Sequence, residues 1–338
     1  MVPALAVAEA LRAEGAEVSF IGGQRAEAQL VPAAGFPLHQ IAVEGLSRSH
    51  PLRAARALGL AVAALPRARA LLKTLAPDAV MGGGGYVAGP VGLAALTLRL
   101  PLVLTEADSH LGLTNRLLAP FARRVCLAFP IPGREGPRYL ITGRPIPPPA
   151  SDRRAARSRM GVPAVGTCVV IFGGSLGART INLAAVDAFA QAPFHVLHIS
   201  GRRDHPELAK RHLAEGYDLR EYLDLEDFAS ALAAADLVVG RSGGSVFEIA
   251  AHGLPAILVP YPHAAGDHQS ANARWMAEGG AAIVIPDGEL SGDRLAAEVE
   301  AMLEDPDRLR TMGSASAALA RPQAAHDVAQ ELLGAAKR

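Results

Sequence analysis

The chain has 338 residues, half of them hydrophobic, and its 33 basic residues balance 33 acidic ones. This length is typical of two domains, and this apolar content lets each domain bury a core. A net charge of zero argues against a nucleic-acid partner. Cys126 and Cys168 show neither metal-ligand spacing nor a disulfide framework, which favours a reduced, cytoplasmic setting. No apolar run approaches the ~20 residues that span a bilayer.

Short apolar runs alternate along the chain with longer helical patterns. This alternation predicts an α/β fold of two doubly wound, Rossmann-like domains with parallel sheets. Helical spacing over residues 1–15 predicts an opening helix, where a doubly wound domain normally opens with a strand. Strands are predicted at residues 17–21, 79–81, 102–104, 167–172, 195–199, 237–239 and 256–259.

The proline-rich passage 144–150 can continue neither a helix nor a central strand, and it predicts the linker between the domains. We therefore expect a first domain over residues 1–146 and a second over residues 147–323. The last helical stretch, residues 324–338, is expected to pack back onto the first domain.

Residues 51–73 of the first domain carry cations and no acid. A basic amphipathic helix can lie on an anionic membrane surface. More often such a stretch is a packed surface helix with a solvated face, and a lipid-linked substrate would reverse that preference. The cations are Arg53, Arg56, Arg67, Arg69 and Lys73.

Four consecutive glycines follow a predicted strand and precede Tyr86. Ordering them costs much chain entropy, so bare backbone is expected to be needed there. A dinucleotide loop would belong in the first βα unit of the domain, which makes the signal for NAD weak. An anion site for a phosphorylated substrate fits better, with Tyr86 equally well a ligand contact or a packing residue.

Polar residues follow the predicted strand at 102–104, where ligands bind in open α/β sheets. Glu106, Asp108 and His110 could contact a sugar or act as an acid or a base. Alternatively, Asp108 or Ser109 caps the following helix. Both interpretations can hold.

The second half has a glycine turn at residues 173–177 that follows an apolar strand and opens a helix. That context suits a phosphate, although a tight turn chosen for packing is the alternative. A second glycine turn, residues 240–244, follows another strand, which favours phosphate. Glu248 then lies in the second turn of the next helix, where it could accept hydrogen bonds from a ribose. The polar loop 267–272 offers groups to a sugar ring, so this order predicts a nucleotide-sugar site.

Four segments together resemble the bacterial UDP-N-acetylglucosamine–N-acetylmuramyl-(pentapeptide) pyrophosphoryl-undecaprenol N-acetylglucosamine transferases, and the likeness covers nearly the whole chain. These segments are the glycines around Tyr86, Gly112-Leu113-Thr114-Asn115, residues 173–179 and residues 241–272. The resemblance implies the two-domain GT-B architecture, with substrates in the cleft between the domains. It implies inverting transfer of N-acetylglucosamine to the C4 hydroxyl of lipid I, which forms lipid II in peptidoglycan synthesis.

The resemblance also implies partners: UDP-N-acetylglucosamine, undecaprenyl-linked lipid I and the cytoplasmic face of the inner membrane, to which the protein would bind peripherally. It raises the prospect that the five cations of residues 51–73 touch that membrane. No Asp-X-Asp motif stands out at a strand end, so we expect no protein-bound metal and no cofactor.

Particular donor contacts follow from the resemblance. Ser175 and Gly174 would lie at the UDP phosphates, and Glu248 would hold the ribose hydroxyls. Ser242 and Gly243 belong to the same donor site.

Further contacts complete the implied donor and acceptor sites. The backbone near Leu223 would meet the uracil, whereas His268 and Gln269 would bind the N-acetylglucosamine hydroxyls. Asp108 would contact the donor sugar, where the family usually has asparagine. The acceptor diphosphate would face Gly84, Gly85 and Tyr86.

The chain departs from the family in places that bear on activity. The family begins with a strand and a Gly-Gly-Thr-Gly-Gly-His turn, whose histidine acts as the general base or assists it, and the likeness here starts just after that turn. We expect Met1 to be an internal valine codon, with the turn encoded in frame upstream. His110 is the stand-in candidate for the base. Thr105 replaces a common histidine, and Pro147 replaces an arginine that reaches toward the nucleotide.

Three other functions stay open. An oxidoreductase would show a glycine fingerprint in its first βα unit, which this sequence lacks. A catalytically impaired relative would still bind the nucleotide sugar through the second domain. A nucleotide-sugar epimerase is conceivable on the same fold.

Overall fold

The computed structural model describes residues 1–43, 51–174 and 176–337, and it gives the backbone but not the side chains of residues 51–58 and Ala265. These residues form two compact units. Unit 1 comprises Met1–Pro147 with Arg321–Arg338, and unit 2 comprises Pro148–Ala320. Both units contain parallel sheets with helices, which confirms the predicted α/β class.

Unit 1 contains two parallel sheets, one of β1 and β2 and one in the order β3-β4-β5-β6. The strands are β1 (Phe20–Gly22), β2 (Leu38–Gln40), β3 (Val80–Gly82), β4 (Leu102–Glu106), β5 (Arg124–Leu127) and β6 (Tyr139–Ile141). The helices are α1 (Val2–Ala13), α2 (Glu27–Ala33), α3 (Pro51–Leu75), α4 (Gly85–Thr97), α5 (Leu113–Leu118) and α14 (Ala324–Ala336).

Alternate residues of β4 point to opposite faces of its sheet and meet different helices. Leu102 and Leu104 join the cluster that contains Ala94 of α4. Val103 joins the other cluster, in which Val328 of α14 packs. Helices therefore cover both faces of this sheet, and the last helix belongs to unit 1.

Unit 2 has one six-stranded parallel sheet in the order β12-β11-β10-β7-β8-β9. Its strands are β7 (Cys168–Phe172), β8 (His195–Ile199), β9 (Tyr217–Arg220), β10 (Leu237–Gly240), β11 (Ala256–Leu258) and β12 (Ala282–Val284). Its helices are α6 (Arg153–Met160), α7 (Arg179–Phe189), α8 (His205–Leu208), α9 (Leu225–Ala234), α10 (Val246–Ala251), α11 (His268–Glu278), α12 (Gly292–Leu303) and α13 (Pro306–Leu319). All residues of β7 and β10 are buried, as expected for strands covered on both faces.

The sheet of unit 2 has a topological switch point between β7 and β10. The chain runs from β7 outward to β8 and β9, then returns to the other side of β7 with β10. Gly240 is in register with Phe172, so both strands end at the same level of the sheet. The loops that follow them diverge there, and such crevices are where open α/β sheets bind ligands.

Several strands differ from the sequence-based prediction. Residues 17–19 lie outside β1, which starts at Phe20. The prediction omitted β2, β5, β6, β9 and β12, each of only three or four residues. Most of them are only partly buried, and short half-buried strands lack the continuous apolar run by which the central strands were recognised.

The basic stretch forms all of helix α3 except its last two residues, and Lys73 lies in the last turn. Arg67 and Lys73 are exposed, whereas Arg69 is half-buried and donates a hydrogen bond to Oγ1 of Thr97 on α4. The side chains of Arg53 and Arg56 lie outside the described residues. Within the described ranges, no helix is long and apolar enough to cross a bilayer.

Candidate functional site

The first glycine turn of unit 2 lies at the switch point, directly after β7. A Cβ on Gly173 would lie 2.3 Å from the amide nitrogen of Ala178, and one on Gly177 would lie 2.0 Å from the carbonyl oxygen of Ser200. Packing therefore explains these two glycines. Gly174 has φ of 89°, and the space that a Cβ would take is open, so this part of the turn can be approached by a ligand. Ser175 lies outside the described residues.

Helix α7 starts after this turn, and no side chain caps it. Its N-cap residue is Ala178, whose side chain cannot accept a hydrogen bond. The first backbone N–H groups of a helix have no partner within the helix, and the helix dipole is positive at this end. The arrangement suits an anion such as a phosphate.

Arg241 ties the second glycine turn to three other segments. Its side chain is buried and donates to the carbonyl oxygen of Val259 at 3.0 Å and to Oγ1 of Thr180 at 3.0 Å. Its charge is paired with Asp287, 2.5 Å from Oδ1. Removing one partner of a buried ion pair is strongly destabilising, so this pair fixes the loops around the switch point.

The second glycine turn and the polar loop before α11 form one hydrogen-bonded surface. Oγ of Ser242 is buried and donates to the carbonyl oxygen of Gln269 at 2.8 Å. Nδ2 of Asn272 donates in turn to the carbonyl oxygens of Ser242 and Gly243, at 2.9 and 3.3 Å. The amide of Tyr261 donates to Oε1 of Gln269, which fixes the orientation of that side chain. Ser242 thus acts through its hydroxyl on the protein itself.

Glu248 and His268 occupy the starts of two helices beside this surface. The sequence predicts Glu248 in the second turn of its helix, but α10 begins only at Val246, with Ser245 as its N-cap. Glu248 is therefore in the first helical turn and is half-buried. His268 opens α11 after Asp267, a non-glycine residue with φ of 55°. Such backbone strain occurs preferentially at binding sites.

Leu223 follows β9 on the other side of the switch point. Its side chain is 8% exposed, which leaves the backbone as the part that can contact a ligand. Beside it, the guanidinium of Arg202 lies 5.3 Å from the ring centroid of Tyr222. This stacking keeps a positive charge near the carboxyl ends of β8 and β9.

A buried polar network packs against the first glycine turn. Nδ2 of Asn182 donates to the carbonyl oxygen of Ser200 at 2.8 Å and to Oδ2 of Asp204 at 2.9 Å. Oδ1 of Asn182 must then accept from Nε2 of His198, whose Nδ1 accepts from the hydroxyl of Tyr217. The hydrogen bonds of the network are satisfied with His198 neutral. The network was not predicted, because its members come from three separate elements.

Burial lowers the pKa of His198 to about 3, and the positive charge of His205 adds to this effect. In the unfolded chain the same imidazole takes up a proton below about pH 6.5. Stability is therefore fully present above pH 6.5 and falls as the pH is lowered toward 3. We expect unit 2 to lose about 1.4 kcal/mol per pH unit below pH 6 from this residue alone.

Urea unfolding at pH 7, 6 and 5 measures this loss. Fluorescence of Trp275 reports it, because this is the single tryptophan of the chain and lies in unit 2. The His198→Gln variant should be less stable at pH 7 and show a weaker dependence on pH, whereas His212→Gln, at an exposed position, should behave as the wild type. Equal pH dependence in His198→Gln and the wild type would contradict the assignment.

In unit 1, the glycine run shapes the start of helix α4. Gly84 and Gly85 have φ of 74° and 75°, a left-handed conformation that side chains disfavour. Gly84 is the N-cap, and no side chain caps the helix. Oγ1 of Thr114 donates to the carbonyl oxygen of Gly85 and holds the turn against α5. Backbone conformation therefore requires glycine at these two predicted acceptor contacts.

Tyr86 is tied to the end of β1 by a carboxylate. Its hydroxyl donates to Oε1 of Glu27 at 2.8 Å, and the amide of Gly23 donates to the same oxygen at 2.9 Å. Glu27 is 8% exposed. Arg25 lies over the aromatic ring of Tyr86, with its guanidinium 4.9 Å from the ring centroid.

Glu106 organises the loop after β4. Its two carboxylate oxygens accept hydrogen bonds from the amides of Ala107, Asp108 and Gly112 and from Nδ2 of Asn115, at 2.8 to 3.2 Å. Its lone pairs are thus engaged, which leaves it no role as an acid or a base.

The other two residues of this loop that could act as an acid or a base are accessible. Asp108 is half-buried and His110 is exposed. The predicted cap at Asp108 or Ser109 is wrong, because α5 begins at Leu113 with Gly112 as its N-cap. Across the described ranges, no group of three or more His, Cys, Asp or Glu side chains is placed to hold a metal ion.

Comparison with known proteins assigns the chain to a family. The glycosyltransferase family 28 N-terminal domain matches residues 1–127, and the family 28 C-terminal domain matches residues 168–328. A relative from Rubrobacter xylanophilus is 42% identical over 98% of this chain and 99% of its own length. It is named UDP-N-acetylglucosamine–N-acetylmuramyl-(pentapeptide) pyrophosphoryl-undecaprenol N-acetylglucosamine transferase.

Solved structures agree on the fold. The crystal structure of Acinetobacter baumannii MurG matches with a TM-score of 0.76 and 29% identity, over 98% of this chain and 95% of that chain. UDP-N-acetylglucosamine 2-epimerase from Neisseria meningitidis matches with a TM-score of 0.67 at 12% identity, over 98% of this chain and 96% of that chain, which shows a shared fold alone. Three observations agree on the family: two α/β units with parallel sheets, matches to both family 28 domains and a 42% identical relative. The chain therefore belongs to glycosyltransferase family 28.

Proposed function

We propose that the protein transfers N-acetylglucosamine from UDP-N-acetylglucosamine to the C4 hydroxyl of the muramyl sugar of lipid I, with inversion at the anomeric carbon. One observation carries this proposal. A relative that is 42% identical over 98% of this chain bears the name of this transferase. The two glycine turns of unit 2, which flank the switch point of its sheet, agree with a donor site there. The UDP-N-acetylglucosamine 2-epimerase from Neisseria meningitidis, by contrast, is 12% identical, and that likeness shows the fold alone.

Unit 2 would hold the donor. The amides of Gly174 and Gly243 face the diphosphate together with Ser175, while Ser242 keeps the second turn in place. Glu248 accepts hydrogen bonds from the two ribose hydroxyls. Its place in the first turn of α10, beside the glycine turn, supports this assignment, because ribose and diphosphate are neighbours in a nucleotide.

The sugar and the base would occupy the two sides of the same crevice. His268 and Gln269 hydrogen-bond the hydroxyls of N-acetylglucosamine, and the bond from Tyr261 supports a fixed orientation of Gln269. The backbone at Leu223 meets the uracil.

The chemistry follows from charge. As the bond from the anomeric carbon to the diphosphate breaks, negative charge develops on the departing UDP. Preorganised amides and the positive end of α7 stabilise that charge without rearranging during the reaction. The acceptor hydroxyl attacks the anomeric carbon and passes its proton to a general base, for which the exposed His110 is the candidate in this chain.

Unit 1 would hold the acceptor at the membrane. Gly84, Gly85 and Tyr86 face the diphosphate of lipid I at the uncapped start of α4. Exposed cations of α3, Arg67 and Lys73 among them, touch anionic headgroups on the cytoplasmic face, together with Arg53, Arg56 and Arg69. Exposed apolar side chains of the same unit, Leu117 and Phe121, at 62% and 69%, support peripheral binding.

Release of UDP tests the function. The protein is incubated with UDP-N-acetylglucosamine and lipid I, together and separately. Released UDP is quantified, and the mass of the lipid product is measured by mass spectrometry. We expect UDP release only with both substrates, and a product heavier by one N-acetylhexosamine. Free epimerised donor would favour the epimerase, and donor binding without turnover would favour an impaired relative; either result would contradict the proposal.

A further inference from the structure

We propose that Glu27 is a positioning residue for the acceptor, which acts by orienting Tyr86 at the start of α4. The inference rests on the proposed function, and it adds a residue that sequence patterns did not single out. Glu27 lies at the first position of α2, in a segment far from the glycine run along the chain. Its contact with Tyr86 joins residues that are 59 positions apart.

The carboxylate of Glu27 makes two hydrogen bonds. Oε1 of Glu27 accepts from both the Tyr86 hydroxyl and the Gly23 amide, at 2.8 and 2.9 Å. A Cβ on Gly23 would lie 2.9 Å from the same Oε1 and 2.9 Å from the Tyr86 hydroxyl. Glycine at this position therefore lets the carboxylate and the phenol approach each other. The tyrosine is held at its hydroxyl by Glu27 and over its ring face by Arg25.

This contact joins two separate parts of unit 1. Gly23 follows β1 of the two-stranded sheet, whereas Tyr86 follows β3 of the four-stranded sheet. Strands β1 and β3 are not paired with each other in the part of the chain that the structure describes. The Glu27–Tyr86 hydrogen bond thus fixes the start of α4 relative to the β1–β2 pair, and a shift of ~1 Å at a substrate-binding group can cost about 100-fold in rate.

The protonation states agree with this role. Burial favours the neutral form of Glu27, but hydrogen bonds from its own amide, Tyr86 and Gly23 outweigh it and hold the pKa below the usual value. Burial and the hydrogen bond to Glu27 raise the pKa of Tyr86. At neutral pH a carboxylate therefore holds a phenol, and the proton of Tyr86 points to Glu27. Tyr86 can offer the acceptor its oxygen lone pair and its ring, while the α4 amides bind the anion.

A double-mutant cycle tests the inference. The variants are Glu27→Ala, Glu27→Gln, Tyr86→Phe and the double variant Glu27→Ala/Tyr86→Phe, with Glu17→Ala as a control at an exposed glutamate of the same unit. The readouts are kcat, KM for each substrate, and the Kd for a short-chain lipid I measured without donor. Thermal unfolding separates loss of structure from loss of acceptor binding.

We expect Glu27→Ala to weaken acceptor binding about tenfold and to leave the KM for UDP-N-acetylglucosamine within about twofold. Glu27→Gln, which keeps an oxygen at the same place, should recover most of the affinity. The double variant should match Tyr86→Phe alone, because Glu27 acts through that tyrosine. Unchanged acceptor affinity in Glu27→Ala, or effects that simply add in the double variant, would overturn the inference.

Failure of the proposed function has a different signature. A wild-type chain that binds lipid I without turning it over contradicts the transferase activity, and the affinity cycle still decides the role of Glu27. A wild-type chain that does not bind lipid I overturns both. Titration of ¹³C-labelled tyrosine adds a readout that a general packing role would not move: the Tyr86 phenol should titrate at lower pH in Glu27→Gln than in the wild type, and an unchanged titration counts against the contact.

Discussion

Gly177→Ala is expected to lower the stability of unit 2 by about 4 kcal/mol. Two effects combine. The backbone has φ of 81°, which costs any L side chain about 1–2 kcal/mol. The new methyl group would also lie 2.0 Å from the carbonyl oxygen of Ser200, and backbone on both sides must shift to remove that overlap.

Gly161→Ala is the matched control, because Gly161 has φ of 71° with no atom near the position of a Cβ. It should cost only the conformational part, about 1 kcal/mol. Urea unfolding monitored by Trp275 compares the two variants, and UDP-N-acetylglucosamine affinity should fall in Gly177→Ala alone. A Gly177→Ala protein as stable as Gly161→Ala would show that the turn is not packed as described.

Glu248→Ala is expected to raise the Kd for UDP-N-acetylglucosamine about 30-fold, with little change in stability. A carboxylate that accepts two hydrogen bonds from a ribose contributes more than a neutral acceptor, because bonds to charged groups are the stronger ones. Glu248→Gln should be intermediate. The side chain is half-buried on a short helix, so its removal leaves the core of unit 2 intact.

A change in the ligand sharpens this test. In calorimetric titrations, the wild type should bind 2′-deoxy-UDP more weakly than it binds UDP. The difference should be most of the loss in UDP affinity that Glu248→Ala causes. The variant should hardly distinguish UDP from its deoxy form, and Glu207→Ala, an exposed glutamate of the same unit, should distinguish them as the wild type does. If Glu248→Ala keeps full discrimination, another residue binds the ribose.

Local sequence was sufficient for the parts of the fold that depend on local pattern. The central strands β7 and β10 are continuous apolar runs, and both are followed by glycine turns, so strand, turn and helix were recognisable together. Edge strands such as β2 and β12 were not, because three half-buried residues carry no clear periodicity. The predicted first residue of α10 was too early for a related reason. A glycine turn marks the start of a helix less precisely than a capping side chain does.

The residues that hold the candidate site together were harder to predict. Arg241 was visible within a glycine-rich motif, but its partner Asp287 lies in a distant segment that pattern alone does not connect to it. The same holds for Glu27 and Tyr86. Glu106 looked like a possible acid or base, and only the structure shows that backbone amides occupy its carboxylate. Side chains that hold other parts of the protein in place are recognised only from their three-dimensional contacts.

A crystal structure of the protein with UDP-N-acetylglucosamine tests the central claim most directly. The account predicts the diphosphate against the amides of Gly174 and Gly243, the ribose on Glu248 and the sugar near His268. Donor density lodged elsewhere, or a protein that takes up no donor at saturating concentration, would contradict it.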